Sequence, residues 1–373
     1  MLVSCGEPSG DLYAAEVVRR LRSLVPGLSV FGVGGAHLAA EGADLVAHVR
    51  DLAVVGILEV VRHLPRIHRV FRETVARIDS RRPDVALLVD YPDFNLRLAR
   101  ELRRRGVPVF YYVSPQVWAW KRGRIRTIRE TVTRMLVIFP FEEALYRGES
   151  VPVTYVGHPL VDLVHPADDR AAFLRELDVD PQRPVLALLP GSRRPEVANN
   201  LPVLAETARR LHRERPDLQF LLAVAPLLDP RGLASPFGDL PVRPVHDRSH
   251  AVVGAADVAL VASGTATVET ALLGTPMVVV YRVSPVSYAL GRPFVRVPHY
   301  AMVNIIAGRE VVPELIQGDF TPDRVAAEAL ALLTDTRRRK AMIEDLAEVR
   351  RRLGGGGASD RAAGQVAAAL SRP

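Results

Sequence analysis

Short, continuously apolar runs alternate along the chain with longer stretches whose apolar residues recur every three or four positions. The runs at 2–5, 29–33, 85–90, 109–113, 135–138 and 153–156 predict a first series of strands. Those at 185–189, 219–224, 258–261 and 277–281 predict a second. Stretches such as 11–24, 94–105, 196–215 and 265–273 read as amphipathic helices between them. Strand, crossover helix, strand is the rhythm of a parallel sheet, and uninterrupted apolar strands suit burial on both faces. The rhythm breaks once. After Gly157-His158-Pro159 the segment 162–169 is polar and holds a proline, which sets a domain boundary near 160–165. The expectation is an α/β chain of two Rossmann-like halves, 1–163 and 164–353, facing each other across a cleft. The run Gly354-Gly355-Gly356-Gly357 predicts a flexible hinge. Residues 354–373 then form a last helical segment, packed on its own N-terminal half or on a partner chain.

Composition narrows the function. With 373 residues, 48% of them apolar, the chain has material for two buried cores, and 24% charged residues exclude wholesale disorder. No run of 18 apolar residues occurs, so no membrane-spanning helix is expected, and the short start before Gly6 does not read as a signal peptide. One cysteine, Cys5, fits a reducing compartment. The net charge of +7 is almost wholly arginine, with Lys121 and Lys340 the only lysines. These cations are spread along the chain and the usual nucleic-acid-binding signatures are missing, so no nucleic acid partner is expected. Attraction to an anionic substrate or membrane surface is the functional reading of the charge, and arginine-rich codon usage the bland one.

Candidate chemistry gathers in the turns after the strands, where a parallel sheet binds ligands. Gly6-Glu7-Pro8-Ser9-Gly10-Asp11 follows the first strand; it suits close approach to a ligand, or equally a tight turn with Ser9 or Asp11 capping the helix. In Asp90-Tyr91-Pro92-Asp93-Phe94-Asn95 two carboxylates lie three apart beside an amide. A carboxylate there can take a proton from an attacking hydroxyl, while Asp93 also suits a helix cap. Both tryptophans lie in the stretch from Ser114 to Lys121, as Trp118 and Trp120, and aromatic faces bind sugars or acyl chains or fill cores. Pro190-Gly191-Ser192-Arg193 offers backbone N–H groups and a guanidinium to a diphosphate. Ser263-Gly264-Thr265-Ala266-Thr267-Val268-Glu269 opens a helix with small hydroxyl residues suited to phosphates. Glu269, one turn on, suits the two hydroxyls of a ribose or a plain surface charge. Asn304 to Glu310 adds polar groups after an irregular stretch and says little alone. His158, His165, His246 and His250 lack ligand-like spacing, so no metal site is expected.

Together these motifs resemble the lipid-A-disaccharide synthase family, glycosyltransferases of the GT-B architecture (family 19). They stand as GEPSGD (6–11), VGILEVV (55–61), DYPDFN (90–95), YVSPQVWAW (112–120), FPFE (139–142), YVGHPL (155–160), LLPGSR (188–193), ASGTATVE (262–269), PMVVVYR (276–282) and NIIAGRE (304–310). The resemblance spans nearly the whole chain. It implies inverting transfer from UDP-2,3-diacylglucosamine to 2,3-diacylglucosamine 1-phosphate, giving a β-1,6-linked disaccharide and UDP in lipid A biosynthesis. It implies no metal and no cofactor. By similarity Asp90, Arg193 and Asn304 are catalytic positions. Gly191, Ser192, Arg193, Ser263, Gly264, Thr265, Thr267 and Glu269 would hold UDP and its diphosphate. Glu7, Ser9, Asp11, Asp93, Trp118 and Arg309 would lie on the acceptor side or in the cleft. On this reading 1–163 is the acceptor-side domain and 164–353 the UDP-sugar domain. The family often associates through its C-terminal region, so a homodimer is compatible.

The segment 57–71 interleaves apolar residues with Arg62, Arg66 and Arg69, as interfacial segments do, and Pro65 is expected to interrupt any continuous helix. Acylated substrates would place the protein on the cytoplasmic face of the inner membrane, as a peripheral protein. The bland alternative is an ordinary helix burying Ile57, Leu58, Val61 and Leu64. Two rival functions share the pattern. A UDP-sugar 2-epimerase, or a transferase with another lipid acceptor, would keep the Gly191–Arg193 and Ser263–Glu269 turns. A non-catalytic nucleotide- or lipid-binding protein would not need Asp90, Arg193, Asn304 and Glu269 together.

Overall fold

All ten expected strands form, and every pairing between neighbours is parallel. The computed structural model describes residues 1–52, 57–118, 121–226, 228–283 and 299–370. In the first unit, β1 (Leu2–Cys5), β2 (Phe31–Gly34), β3 (Asp44–His48), β4 (Ala86–Val89), β5 (Val109–Tyr112), β6 (Arg134–Val137) and β7 (Val153–Tyr155) make a seven-stranded sheet. Its order is β3-β2-β1-β4-β5-β6-β7. In the second unit, β8 (Val185–Leu189), β9 (Gln219–Val224), β10 (Val242–His246), β11 (Val258–Ala262), β12 (Met277–Tyr281) and β13 (Glu314–Ile316) make a sheet of order β10-β9-β8-β11-β12-β13. Each sheet starts in its middle, grows to one side, then returns and grows to the other. This is the doubly wound Rossmann order, and each reversal point lies between two strands whose carboxyl ends open a crevice.

The three strands the apolar pattern did not reveal, β3, β10 and β13, are all sheet edges. The interior strands β1, β4, β5, β8, β9 and β11 are buried at every position, whereas β3 is half-exposed and β10 mostly exposed. An edge strand has one hydrogen-bonding side and part of its faces in water, so a continuous apolar run is not required of it.

The helix Ile57–Arg81 runs straight through Pro65, contrary to the expected interruption. Proline removes one backbone hydrogen bond, and here its ring faces solvent, so the helix bears the loss. The side chains of 57–63 lie outside the described residues. Beyond them Leu64, Pro65, Arg66, His68 and Arg69 are exposed, while Val70 is buried against the core of the first sheet.

The compact units are residues 1–162 with 353–370, and residues 163–283 with 299–352. The last helix, Ala358–Leu370, therefore belongs to the first unit and packs on the helix Pro8–Leu24. The glycine run ahead of it is tied down at its end. Asp162 accepts from the backbone N–H of Gly357 (2.9 Å) and Ala358 (3.2 Å), capping that helix from nearly 200 residues away. Arg361 answers by donating to the carbonyls of Val156 (2.8 Å) and Gly356 (2.8 Å). A Cβ at Gly356 would fall 2.4 Å from the Asp162 carboxylate, so close approach is what requires glycine there. Asp162→Ala should weaken the last helix by about 1 kcal/mol, the usual worth of a lost cap. Faster amide exchange confined to 358–370 is the expected result, measured by mass spectrometry.

Candidate active site

The turns after β1 and β4 meet at the reversal point of the first sheet. Asn95, buried in the first turn of the helix Pro92–Arg104, joins them. Its two amide hydrogens are shared among the carbonyls of Asp90 (2.7 Å), Ser4 (3.2 Å) and Val89 (3.2 Å), and its oxygen accepts from the Ser4 hydroxyl (2.7 Å). Asp90 and Tyr91 both take left-handed backbone angles, φ 45° and 49°. The Tyr111 hydroxyl adds a 2.6 Å bond to the Asp90 carbonyl, so that strained turn is fixed from two sides. The Tyr91 ring lies over Gly6, where a Cβ would fall 2.1 Å from the ring, and stacks on Phe94 at 5.6 Å. Burial pushes the Tyr91 hydroxyl up to about 12, helped by the charges of Asp93 and Glu7. Glu7, Ser9 and Asp90 are half-buried around this crevice.

Asp93 sits apart in character. It is exposed, and Arg124 donates to it at 2.6 Å with Lys121 3.5 Å away. Partial burial works against its charge, but these two cations outweigh it and hold the carboxyl below its usual range. Trp118 lies in the turn after β5, half-exposed, with its indole N–H on Glu142 at 3.3 Å. Trp120 lies outside the described residues.

In the second unit the reversal point falls between β8 and β11, and again two candidate turns flank it. After β8, the backbone N–H groups of Ser192 (3.2 Å) and Arg193 (3.3 Å) and the Arg193 guanidinium (3.0 Å) all converge on the carboxylate of Glu196. They form an anion cradle at the start of the helix Arg194–Glu214. Asn200, buried one turn on, holds it by donating to the Pro190 carbonyl (2.9 Å) and accepting from Arg282 N–H beyond β12 (3.0 Å). After β11, Gly264 and Thr265 are exposed and no side chain caps the helix Thr265–Leu273 among the described residues. Ser263 donates to the Tyr300 carbonyl (3.2 Å). Glu269 is half-buried with His250 Nε2 3.7 Å away.

Four expected site residues already have partners within the protein. Asp11 is buried, and its carboxylate accepts from the N–H groups of Gly35 (2.6 Å), His37 (3.0 Å) and Leu38 (3.2 Å), closing the turn after β2. Asn304 is fully buried and saturated. It donates to Val312 O (2.9 Å) and Glu314 (2.7 Å) and accepts from Val311 N (2.8 Å) and Val312 N (3.0 Å), which leaves its amide nothing for a substrate. Thr267 is buried with its hydroxyl on the Gly264 carbonyl (2.8 Å), so it shapes the turn rather than facing a phosphate. Arg309 lies on the second unit, exposed, its guanidinium fork on Asp345. Among the described residues no group of three or more His, Cys, Asp or Glu is placed to hold a metal ion.

A model of lipid-A-disaccharide synthetases matches residues 1–369. A lipid-A-disaccharide synthase of Myxococcus xanthus (strain DK1622) is 48% identical over 368 residues, 98% of this chain and 96% of that protein. The chain belongs to the lipid-A-disaccharide synthetase family. Its members are UDP-sugar glycosyltransferases of lipid A biosynthesis, and this chain is one of these enzymes. Among solved structures, a kitacinnamycin glycotransferase superposes with a TM-score of 0.65 at 21% identity, covering 99% of this chain and 98% of that one. A UDP-GlcNAc 2-epimerase from Neisseria meningitidis, bound to UDP-GlcNAc, gives 0.66 at 14%, with 98% of each chain covered. At such identities these two share the GT-B fold alone, so the epimerase rival keeps only the architecture.

For a lipid-A-disaccharide synthetase the motif reading singled out the strand-end turns but not the side chains that hold them. Asn95, Asn200, Glu196 and Glu314 were missed as working residues. Glu314 accepts from Tyr300 N (2.8 Å) and Ala301 N (3.0 Å) besides Asn304, and so sets the loop that meets Ser263. For Asn95, Asn200 and Glu196 the one available signal was an amide or carboxylate in the first turns of a helix that follows a strand; Glu314, on β13, had none. Asn95→Ala would strip three buried carbonyls of a donor. A loss of about 3 kcal/mol in urea unfolding is expected from the usual penalty of roughly 1–3 kcal/mol for an unsatisfied buried group.

Proposed function

We propose that the enzyme joins UDP-2,3-diacylglucosamine to 2,3-diacylglucosamine 1-phosphate with inversion, giving the β-1,6-linked disaccharide 1-phosphate and UDP. The carrying observation is Asp90, a carboxylate at the reversal point of the first sheet, on a left-handed turn fixed by Asn95 and Tyr111. In this reading the first unit takes the acceptor. Asp90 removes the proton of the acceptor 6-hydroxyl as that oxygen attacks the anomeric carbon; the new C–O bond forms while the bond from that carbon to the diphosphate oxygen breaks. Asp93 suits the role less well, because Arg124 and Lys121 favour its ionised form and weaken it as a base.

The second unit takes the donor. The N–H groups of Ser192 and Arg193, the Arg193 guanidinium and the first turn of Thr265–Leu273 would meet the charge of the leaving diphosphate. Glu269 would accept from the ribose hydroxyls. Gly191, Ser263, Gly264 and Thr265 line this reading of the site, and Glu7, Ser9 and Trp118 its acceptor counterpart. No described helix is long and apolar enough to cross a membrane. The exposed Leu64 with Arg66 and Arg69 on the helix Ile57–Arg81 supports docking on the cytoplasmic face of the inner membrane.

The test is a detergent-micelle assay with both substrates, following UDP and disaccharide by mass. Asp90→Asn should lower kcat by roughly a hundred to ten thousand fold, the range general-base catalysis supplies, with both KM values little changed. Full activity in that variant would remove Asp90 as the base, and UDP without disaccharide would point to another acceptor. Glu196 supplies a second check. Its carboxylate now fills the cradle that the diphosphate needs, so Glu196→Gln, which keeps an acceptor oxygen and drops the charge, should tighten UDP binding several-fold in calorimetry.

A further inference from the structure

The first unit buries a carboxyl group that the reaction above does not use. Glu142 stands in the first turn of the helix Pro140–Gly148, after β6, and is almost wholly buried. One oxygen accepts from Phe139 N–H (3.2 Å) and the other from the Trp118 indole N–H (3.3 Å). Beside it the Ser114 hydroxyl donates to the Pro115 carbonyl (2.8 Å) and lies 2.8 Å from the Tyr146 hydroxyl. Aromatic rings close the surroundings. Phe141 meets Trp118 edge-on at 5.4 Å and stacks on Phe139 at 5.6 Å, and His158 leans on Phe139 at 5.3 Å. A helix cap alone explains the bond to Phe139 N–H. It does not explain a carboxyl sunk among aromatic rings and bonded to the indole that closes the 114–118 turn.

We propose that Glu142 is a positioning residue of the acceptor half: its carboxyl group fixes the Trp118 indole and the 114–118 turn as a platform for an acylated sugar. The half-exposed indole supplies the apolar face that a diacylated sugar needs, at the carboxyl end of β5 where parallel sheets bind ligands. This rests on the reading that the first unit takes the acceptor.

Burial pushes the Glu142 carboxyl up to about 8, so the group is neutral at pH 7. The titratable groups facing it are Tyr146, through Ser114, whose hydroxyl burial raises, and His158 beyond Phe139, which burial keeps neutral at about 3. Neither changes charge between pH 7 and 9. Ionisation above pH 8 puts a charge into this apolar pocket, on the oxygens that hold the Phe139 and Trp118 N–H groups. In this proposal the protonated form is the one that holds the Trp118 indole in its acceptor-binding position.

Two readouts test this. With Trp120→Phe as background, Trp118 is the sole tryptophan, and its fluorescence should show an inflection near pH 8 that Glu142→Gln abolishes. In the assay, the acceptor KM should rise about tenfold from pH 7 to 9 as the competent fraction falls. In Glu142→Gln it should stay flat, with the donor KM unmoved in both proteins. Trp118→Phe, which keeps a ring and loses the N–H, should raise the acceptor KM several-fold and leave the donor KM alone; it serves if the glutamine variant does not fold. An inflection or a KM rise that survives in Glu142→Gln overturns the proposal, as does an equal change in donor KM. Absence of disaccharide at every pH would instead sink the functional reading itself, and the acceptor role with it.

Discussion

Two buried amides hold the strand ends on which the rest of the structure depends. Asn95 binds the carbonyls at the ends of β1 and β4, and Asn200 ties the end of β8 to the residue beyond β12. At a reversal point two neighbouring strands send their following helices to opposite faces, and the backbone groups left between them have no sheet partner. An amide can donate and accept at once. An apolar side chain would take a donor from each of those carbonyls, leaving Tyr111 alone on that of Asp90, and a carboxylate would repel them. With the Asn95 bonds in place, Asp90 and Tyr91 keep left-handed angles that each cost roughly 1–3 kcal/mol. Gly6 then follows from Tyr91, because the ring needs the space a side chain would take.

Charge is arranged by the same economy. Many exposed arginines are matched locally: Arg105 with Asp79 and Glu101, Arg77 and Arg81 with Asp44, Arg351 and Arg352 with Glu348. Pairs of this kind in water contribute roughly 0–1 kcal/mol each and leave little directed field. Arg193 differs in kind, because it converges with two backbone N–H groups on a single carboxylate. That geometry selects an anion, and Glu196 holds the cradle in shape while competing for it. A buried Glu142, its carboxyl pushed up to about 8 by desolvation, gives the first unit a different device, a polar anchor among aromatic rings.

The ends of the chain are joined both by a buried apolar face of the last helix and by backbone contacts. Asp162 and Arg361 each bind main-chain atoms on the other's segment, so the last helix caps the first unit. Glycine repeats there serve tight approach. Within the string of four, Gly354 and Gly356 are fitted against Tyr155 and Asp162.

The sequence by itself determined the parallel α/β architecture, because strands buried on both faces must be continuously apolar and their crossover helices amphipathic. It also determined the family, through motifs whose order and spacing recur along nearly the whole chain, and it located the turns that carry Asp90, Arg193 and the Ser263–Glu269 segment. The edges β3, β10 and β13 were not legible, since half-exposed strands need no apolar run. Only the tertiary structure decided which polar residues are already spent. Asp11 finds its three donors about 25 residues away on the turn after β2, Asn304 spends its donors and acceptors on the loop leading into β13, and Arg309 reaches Asp345 on the helix Thr336–Arg352. A motif fixes which chemical groups are present. Whether a group is left to face a substrate depends on partners brought to it by folding, and no local pattern encodes them.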